Sequence, residues 1–193
     1  DRNIPEIQKI KKISIKRNIN LSLIYNELNG IQLISHRFEK EKQILEIKFK
    51  KVKYKVQLNL IGKIQVNNIL MAIIAANKSG IEFKKILKIL PRIAPVEGRL
   101  EKIGKIHNNS KVILDYAHTP AALESALSNL KEQFPFNKIN LIFGCGGDRD
   151  LKKRPLMGKI AEKYSDEIYL TDDNPRNENP FKIRNEIKKG IQN

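Results

Sequence analysis

Cysteine and tryptophan are the residues that this 193-residue sequence uses least, with one cysteine and no tryptophan. A single cysteine excludes a disulfide within the chain and is typical of a protein from a reducing compartment. Cys145 stands between Gly144 and Gly146, and no histidine is near it in the sequence. We therefore predict that its side chain packs in the interior and takes no part in nucleophilic chemistry.

Acidic side chains are also scarce. The sequence has 21 Asp and Glu residues and 37 Lys and Arg residues, which gives a net charge of +16. Such a charge favours a nucleic acid or an anionic surface as partner. The lysines are scattered, however, and no alternation of basic and aromatic residues of the kind that stacks bases is present. We interpret them as a solvated surface and expect no nucleic-acid partner. A basic, non-catalytic nucleic-acid-binding module stays open as an alternative function.

Three further features are missing from the sequence. It has no signal-like N-terminal run and no apolar run of membrane-spanning length, so we expect a cytoplasmic protein without a membrane span. It has no GxxxxGK[ST] phosphate loop. It also opens without Met and stops just after a helix-like segment, so we expect a fragment of a longer chain that cannot turn over alone.

The first half of the chain has the pattern of β-strands followed by helices. Residues 13–60 read as β, with alternating apolar residues on both sides of Lys50-Lys51 and a second hairpin signal at Asn29-Gly30. These features predict a small antiparallel meander. Residues 66–78 then predict a buried helix that ends at Gly80, and a second helix stops at Pro91.

The second half alternates strands and helices. Apolar strands are predicted near residues 111–115, 138–144 and 167–171, and each is followed by a helix with proline in its first turn. Three such units predict a Rossmann-like parallel sheet, and therefore an α/β fold class for the chain. Because Pro95 and Gly98 interrupt the pattern, we place a domain boundary between residues 97 and 98.

Polar clusters follow each predicted strand of the second half, at residues 115–120, 144–150 and 172–176. Ligands of open parallel sheets bind beyond the carboxyl ends of the strands, so we expect these clusters to form one site. Glycine lets backbone N–H groups approach an anion, and the following helix N-terminus favours negative charge. Arg149 and Arg176 are suited to bidentate contacts with carboxylates. The clusters predict a site for a charged substrate.

Together with two earlier segments, these clusters resemble motifs of the Mur ligases, and most closely of the members that add meso-diaminopimelate. The matching segments are "GKIQVNNILMAIIAA", "VEGRLE", "DYAHTPAALE", "FGCGGDRDLKKRPLMG" and "TDDNPR". The resemblance implies that residues 1–97 are the last part of a central ATP-binding domain. It implies that residues 98–193 are the first part of a C-terminal Rossmann-like domain.

The resemblance also implies an activity: ATP-dependent amide formation in the synthesis of peptidoglycan precursors. In the implied reaction, meso-diaminopimelate is added to UDP-MurNAc-L-Ala-D-Glu through an acyl-phosphate intermediate. The enzyme is expected to be a cytoplasmic monomer. ATP and Mg²⁺ are the implied cofactors, with the Mg²⁺ ligands upstream of this chain. Addition of L-lysine or of a dipeptide by another ligase of the same type is the alternative reaction.

Site residues follow from the same motifs. The resemblance implies no catalytic residue and no metal ligand in this chain. His118 either lines the nucleotide cleft or makes a structural hydrogen bond. An arginine at position 176 favours diaminopimelate over lysine because diaminopimelate has an additional carboxylate at its far end. The implied nucleotide contacts are Asn68, Arg99, Asp115 and His118, and the implied amino-acid contacts are Arg149, Asp173, Asn174 and Arg176.

Overall fold

The computed structural model describes residues 5–24 and 30–192. The chain divides into two compact units between Val96 and Glu97. We call the N-terminal part unit 1 and the C-terminal part unit 2, and each is described by itself.

Where the structure describes it, unit 1 has a three-stranded antiparallel sheet and three α-helices. The turn between the second and third strands places Lys50 and Lys51 at positive φ, as a two-residue hairpin turn requires. The predicted meander is confirmed for these strands. The elements are α1 (Ile7–Lys16), β1 (Gln32–Glu39), β2 (Lys42–Phe49), β3 (Val52–Leu58), α2 (Ile64–Lys78) and α3 (Phe83–Ile89), followed by a 3₁₀ turn over Leu90–Arg92.

The core of unit 1 lies between the sheet and α2. The buried residues of α2 recur at the spacing of one helical face. Phe83 of α3 stacks on Phe49, with ring centroids 3.9 Å apart, and meets the edge of Tyr54. The buried face of α2 and its partners on the sheet comprise Val66, Ile69, Leu70 and Ile73 with Leu45, Ile47, Val56 and Leu58.

Two expectations for unit 1 need correction. The β prediction for residues 13–60 is wrong at its start, because Ile13 lies in α1, where Ile7, Ile10 and Ile13 recur at a spacing of three residues. The first strand of the predicted Asn29-Gly30 hairpin is described only over residues 21–24, which are not strand apart from a parallel bridge between Ile24 and Ile31. Asn29 lies outside the described residues.

Unit 2 has the predicted alternation of strands and helices, and the α/β class is confirmed. The strands Asn140–Phe143 and Glu167–Leu170 pair in parallel, whereas Lys111–Leu114 pairs antiparallel with Glu101–Lys105, a strand that the sequence pattern did not predict. Parallel pairing is thus found for two of the three predicted strands within the described part. The elements are β4 (Glu101–Lys105), β5 (Lys111–Leu114), α4 (Pro120–Gln133), β6 (Asn140–Phe143), α5 (Lys153–Tyr164), β7 (Glu167–Leu170) and α6 (Pro180–Lys188).

Two helices of unit 2, α4 and α6, start at a residue whose side chain caps them. The Ala122 N–H donates to Oγ1 of Thr119, 3.3 Å away, and the Phe181 N–H donates to Oδ1 of Asn179 at 2.8 Å. The core between these helices and the β6–β7 pair buries Leu123, Leu127, Cys145, Met157, Ile183 and Ile187. Since β6 and β7 are parallel, the loops that follow them leave the same edge of the sheet. Over the described residues, no helix combines the length and apolarity needed to cross a membrane.

Candidate functional site

The loops that follow β6 and β7 are joined to each other directly. The Thr171 N–H donates to the carbonyl oxygen of Phe143 at 3.0 Å, and the Gly147 N–H donates to that of Asn174 at 3.1 Å. Nη1 of Arg176 donates to the Gly147 carbonyl oxygen, 2.6 Å away. Residues 144–149 and 172–178, which we call the paired loops, therefore form one edge structure.

Glycine is required where these loops touch. A Cβ atom on Gly147 would lie 1.8 Å from the carbonyl oxygen of Pro175, and one on Gly144 would lie 2.4 Å from that of Thr171. The sequence interpretation assigned these glycines to the approach of an anion. The structure shows that they are needed for the close approach of one loop to the other.

The predicted amino-acid contacts lie on the paired loops. Arg149, Asp173, Asn174 and Arg176 are all exposed at the carboxyl ends of β6 and β7. Asn174 and Arg176 have φ values of 40° and 50°, so the second loop is held in a left-handed conformation at both positions. The fold thus brings two guanidinium groups, one carboxylate and one amide to the same edge of the sheet.

A buried arginine lies beneath these exposed residues. Arg154, in the first turn of α5, is completely inaccessible to solvent. Its Nη2 and Nη1 atoms donate to Oε1 and Oε2 of Glu178 at 2.7 and 2.8 Å, and Nη1 also donates to Oε2 of Glu186 at 2.6 Å. Nη2 reaches the Gly146 carbonyl oxygen at 3.2 Å. One side chain therefore connects both paired loops with α6.

The ionised state of this network is strongly favoured. The hydrogen bonds from Arg154, followed by the bond from the Asp148 N–H, lower the pKa of Glu178 to about 2. The bond to Glu178 raises the pKa of Arg154 above its usual value, although burial acts in the opposite direction. Both partners are charged at neutral pH.

The basic run Lys152, Lys153 and Arg154 follows a Gly-rich loop, where such residues suggest either substrate contact or a solvated loop, and Arg154 has neither role. The signal that identifies it is its spacing, because Arg154, Met157, Gly158 and Ala161 form the buried face of α5. Its acidic partners lie 24 and 32 residues further along the chain, which no local pattern indicates.

The predicted nucleotide contacts of unit 2 lie around the loop after β5. Asp115 accepts two backbone hydrogen bonds at 2.9 Å, from the N–H groups of Leu100 and Ala117. Nδ1 of His118 lies 3.1 Å from the carbonyl oxygen of Tyr116. The Arg99 guanidinium is 5.5 Å from the centre of the Tyr116 ring. Asp115 therefore shapes this loop, whatever else it contacts.

The fourth predicted nucleotide contact belongs to unit 1. Asn68 lies on α2, is exposed, and its Nδ2 donates to Oε1 of Gln65 at 3.3 Å.

In unit 2, Lys153 at the start of α5 contacts the loop after β5. Its Nζ donates to the His118 carbonyl oxygen at 2.8 Å. The first turn of α5 is thus joined to the loop after β5 as well as to the paired loops.

Cys145 has the packing role that the sequence predicted. Its thiol is buried, with Sγ 3.7 Å from Sδ of Met157, and burial raises the pKa of the thiol. For a metal ion we find no grouping of three or more His, Cys, Asp or Glu side chains in residues 5–24 and 30–192. We therefore assign none of these residues to the Mg²⁺ that the resemblance implies, whose ligands it places upstream of this chain.

A family model and the similar curated proteins both relate this chain to the Mur ligases. Residues 98–193 match the family described as "Mur ligase, glutamate ligase domain". Over 192 residues, 98% of the chain, the sequence is 38% identical to the UDP-N-acetylmuramoyl-L-alanyl-D-glutamate–2,6-diaminopimelate ligase of Rickettsia felis. The chain spans 35% of the length of that relative.

Solved structures resemble this chain over almost its whole length. A structure of a UDP-N-acetylmuramoyl-L-alanyl-D-glutamate–2,6-diaminopimelate ligase covers 97% of the chain at 28% identity, with a TM-score of 0.66, and 39% of that protein is matched. Mycobacterium tuberculosis folylpolyglutamate synthase complexed with ADP covers 97% at 18% identity, with a TM-score of 0.71 and 41% of its own chain. The second likeness is one of fold alone.

Proposed function

The chain belongs to the Mur ligase family, and on that premise we propose that the protein containing it is an ATP-dependent carbon–nitrogen ligase of peptidoglycan synthesis. The proposed reaction joins meso-diaminopimelate to UDP-MurNAc-L-Ala-D-Glu. Similarity over 98% of the chain to a ligase named for 2,6-diaminopimelate supports this reaction. Because ATP and a UDP-linked precursor are its substrates, we place the protein in the cytoplasm.

The observation that carries this proposal is the position of Arg149 and Arg176 on the paired loops, at the carboxyl ends of two parallel strands. Diaminopimelate has two carboxylates and two amines. A planar guanidinium accepts a carboxylate in bidentate geometry, whereas the ammonium end of lysine would face like charge. In the proposal, Arg176 binds the far carboxylate, and Arg149, Asp173 and Asn174 orient the rest of the amino acid.

The chemistry requires orientation more than a protein nucleophile. In the proposed reaction, an oxygen of the substrate carboxylate attacks the γ-phosphorus of ATP, and ADP leaves. The amine nitrogen of diaminopimelate then attacks the acyl carbon, the bond from that carbon to the phosphate oxygen breaks, and the amine loses a proton. The paired loops contribute by holding the amine in line for this attack. We assign Mg²⁺ no step, because the proposal places its ligands upstream of this chain and none among the described residues.

The two units take different parts in this proposal. We assign residues 1–97 to the last part of an ATP-binding central domain and residues 98–193 to the first part of the C-terminal domain. Asn68 is the proposed adenine contact, and Arg99 is the proposed contact on the phosphate side. Asp115 and His118 are proposed to contact the nucleotide from a loop whose shape the Asp115 carboxylate maintains.

A substrate comparison with the full-length protein tests the proposal. Phosphate release and product mass are measured with ATP, Mg²⁺ and UDP-MurNAc-L-Ala-D-Glu, and with either meso-diaminopimelate or L-lysine. The proposal predicts turnover with diaminopimelate and a loss of preference in Arg176→Ala. The matched control is Arg37→Ala, which removes an exposed arginine of β1 that pairs with Glu39.

Other results would contradict parts of the proposal. Turnover with lysine alone would keep the ligase class and reject the role of Arg176. No turnover, together with tight and steeply salt-dependent binding to DNA or RNA, would favour the nucleic-acid-binding alternative.

A further inference from the structure

We propose that Arg154 is a positioning residue for the incoming amino acid, which fixes the paired loops so that Arg149 and Arg176 hold a set geometry. The inference rests on the proposed function, because it assigns the support of the proposed amino-acid site. Arg154 cannot contact a substrate itself, since its side chain is inaccessible to solvent. Any effect on the substrate must pass through the residues that it binds.

The contacts of Arg154 reach both loops. Its guanidinium holds the Gly146 carbonyl on the first loop and both carboxylate oxygens of Glu178 on the second. A further bond to Glu186 anchors the group to α6. A planar fork with several donors can satisfy these acceptors at once, which the single ammonium of a lysine cannot do.

Glu178 transmits this contact to the surface. Its Oε1 accepts the N–H of Asp148 at 2.6 Å, and the Asp148 carboxylate in turn accepts both the backbone N–H and the side-chain amide of Asn177. The network therefore ends at Asp148, the neighbour of Arg149, and at Asn177, the neighbour of Arg176. The two proposed substrate-binding arginines both lie one residue from a bonded member.

The left-handed backbone of these loops makes that support necessary. Asp148, Asn174 and Arg176 all have φ between 40° and 51°, a left-handed region that Asp and Asn tolerate but that is uncommon for a long side chain such as that of Arg176. Hydrogen bonds from a buried, ionised network supply that support. Without them, the loops would take other conformations, and the separation of the two guanidinium groups would vary.

Steady-state kinetics of the full-length protein tests the inference with Arg154→Lys and Glu178→Gln. Arg154→Lys keeps the positive charge and loses the planar guanidinium, whereas Glu178→Gln keeps an acceptor oxygen and loses the negative charge. If one of these variants is unstable, the other still tests the inference. We expect kcat/KM for meso-diaminopimelate to fall roughly tenfold or more in each, mainly through KM, because small errors in position are costly. KM values for ATP and the UDP-linked substrate should change by less than about twofold.

The control is Glu124→Gln, which makes the same chemical change to an exposed carboxylate that accepts bonds from Lys163 and Tyr164 of α5. It should leave all three KM values unchanged. Hydrogen exchange gives a readout that needs no substrate: exchange in the peptide containing Asp148 should accelerate in Arg154→Lys and Glu178→Gln but not in Glu124→Gln.

The outcomes separate the inference from the proposed function. If the wild-type protein shows no turnover with meso-diaminopimelate, the proposed function is wrong, and the inference is wrong with it. If the wild type is active but a folded Arg154→Lys or Glu178→Gln keeps its KM for diaminopimelate, only the inference is overturned. An equal loss for all three substrates would also overturn it, because that result indicates general destabilisation.

Discussion

Unit 1 and unit 2 bury different kinds of side chain. Among the described residues, the core cluster of unit 1 contains fourteen buried apolar residues, whereas that of unit 2 contains six. In unit 1 the buried Gln43 donates its amide to two backbone carbonyls, those of Leu60 and Gly62. Unit 2 instead buries a charged residue, Arg154, beneath the proposed substrate site. Unit 1 is therefore stabilised mainly by apolar burial, while unit 2 also depends on an ionised network.

This difference has a physical consequence for function. Apolar packing fixes a fold without fixing the exposed loops, since its energy depends on buried area and not on direction. Hydrogen bonds between charged groups are directional and set the position of each partner. A unit that must hold two loops at one separation gains more from such a network than from additional apolar area.

Removal of the buried charge should have the largest effect. Arg154→Met would leave the carboxylates of Glu178 and Glu186 facing each other without a cation, and we expect a loss of about 3–5 kcal/mol in the free energy of unfolding of unit 2. This loss is measured by urea unfolding, with hydrogen exchange of unit 2 peptides as the readout. Arg184→Met, which breaks a partly exposed pair with Asp172, should cost about 1 kcal/mol or less. Equal losses in the two variants would refute the distinction.

Truncation of the unit 1 core should have a comparable or slightly smaller effect. Leu70 of α2 is completely buried, and Leu70→Ala should lower the free energy of unfolding of unit 1 by about 2–5 kcal/mol through lost burial and a new cavity. Its neighbour Met71 is 50% exposed, so Met71→Ala is the matched control with a much smaller expected loss. The same urea experiment, read from unit 1 peptides, measures both. Similar losses would contradict the assigned core.

Crowding of the paired loops should come next. Gly147→Ala places a methyl group against the Pro175 carbonyl, and we expect a loss of about 1–3 kcal/mol in the stability of unit 2. Gly104→Ala on β4 is the control, because nothing lies within 4 Å of a Cβ atom there. Thermal unfolding of both variants decides the comparison. Unchanged stability in Gly147→Ala would show that the loops do not approach as closely as described.

Protonation of Glu178 at low pH should lower the stability of unit 2. The folded pKa of Glu178, about 2, lies below its ordinary value of 4.5. The stability that this carboxylate contributes is therefore present above about pH 4.5 and is lost as the pH falls towards 2. Glu178→Gln should flatten the fall in stability of unit 2 over that window. Thermal unfolding at several pH values, with Glu39→Gln in unit 1 as the control, measures it, and an unchanged slope would contradict the network.

Much of the fold could be predicted because its signals are local. The turn at Lys50-Lys51, the end of α2 near Gly80, and the caps at Thr119 and Asn179 all depend on residues within a few positions of each other. β4 has only five residues, too few to establish a pattern beside the interruption at Gly98. The β prediction overlaps the end of α1 because Ile13 and Ile15 are two residues apart, as in a strand, although Ile7, Ile10 and Ile13 have helical spacing.

The position of the site could be predicted from the sequence, but the buried contacts that hold its loops could not. The order of strands placed the polar clusters at the carboxyl ends of β6 and β7, and the structure brings those two clusters together. The roles of Gly147 and Arg154 depend on residues 24 to 32 positions away, which only tertiary structure brings close. The helical spacing of Arg154 with Met157 and Ala161 becomes informative only once the bounds of α5 are known, and no local pattern indicates its partners.

The buried thiol of Cys145 makes the opening of this edge measurable without an engineered cysteine. It is the sole cysteine of the sequence, it lies directly after β6 among the apolar residues of unit 2, and burial raises its pKa. An alkylating reagent reacts with a thiolate only when the thiol is accessible. The rate of alkylation at position 145 would therefore report how often the polypeptide around the first paired loop opens, and binding of an amino acid there would slow it.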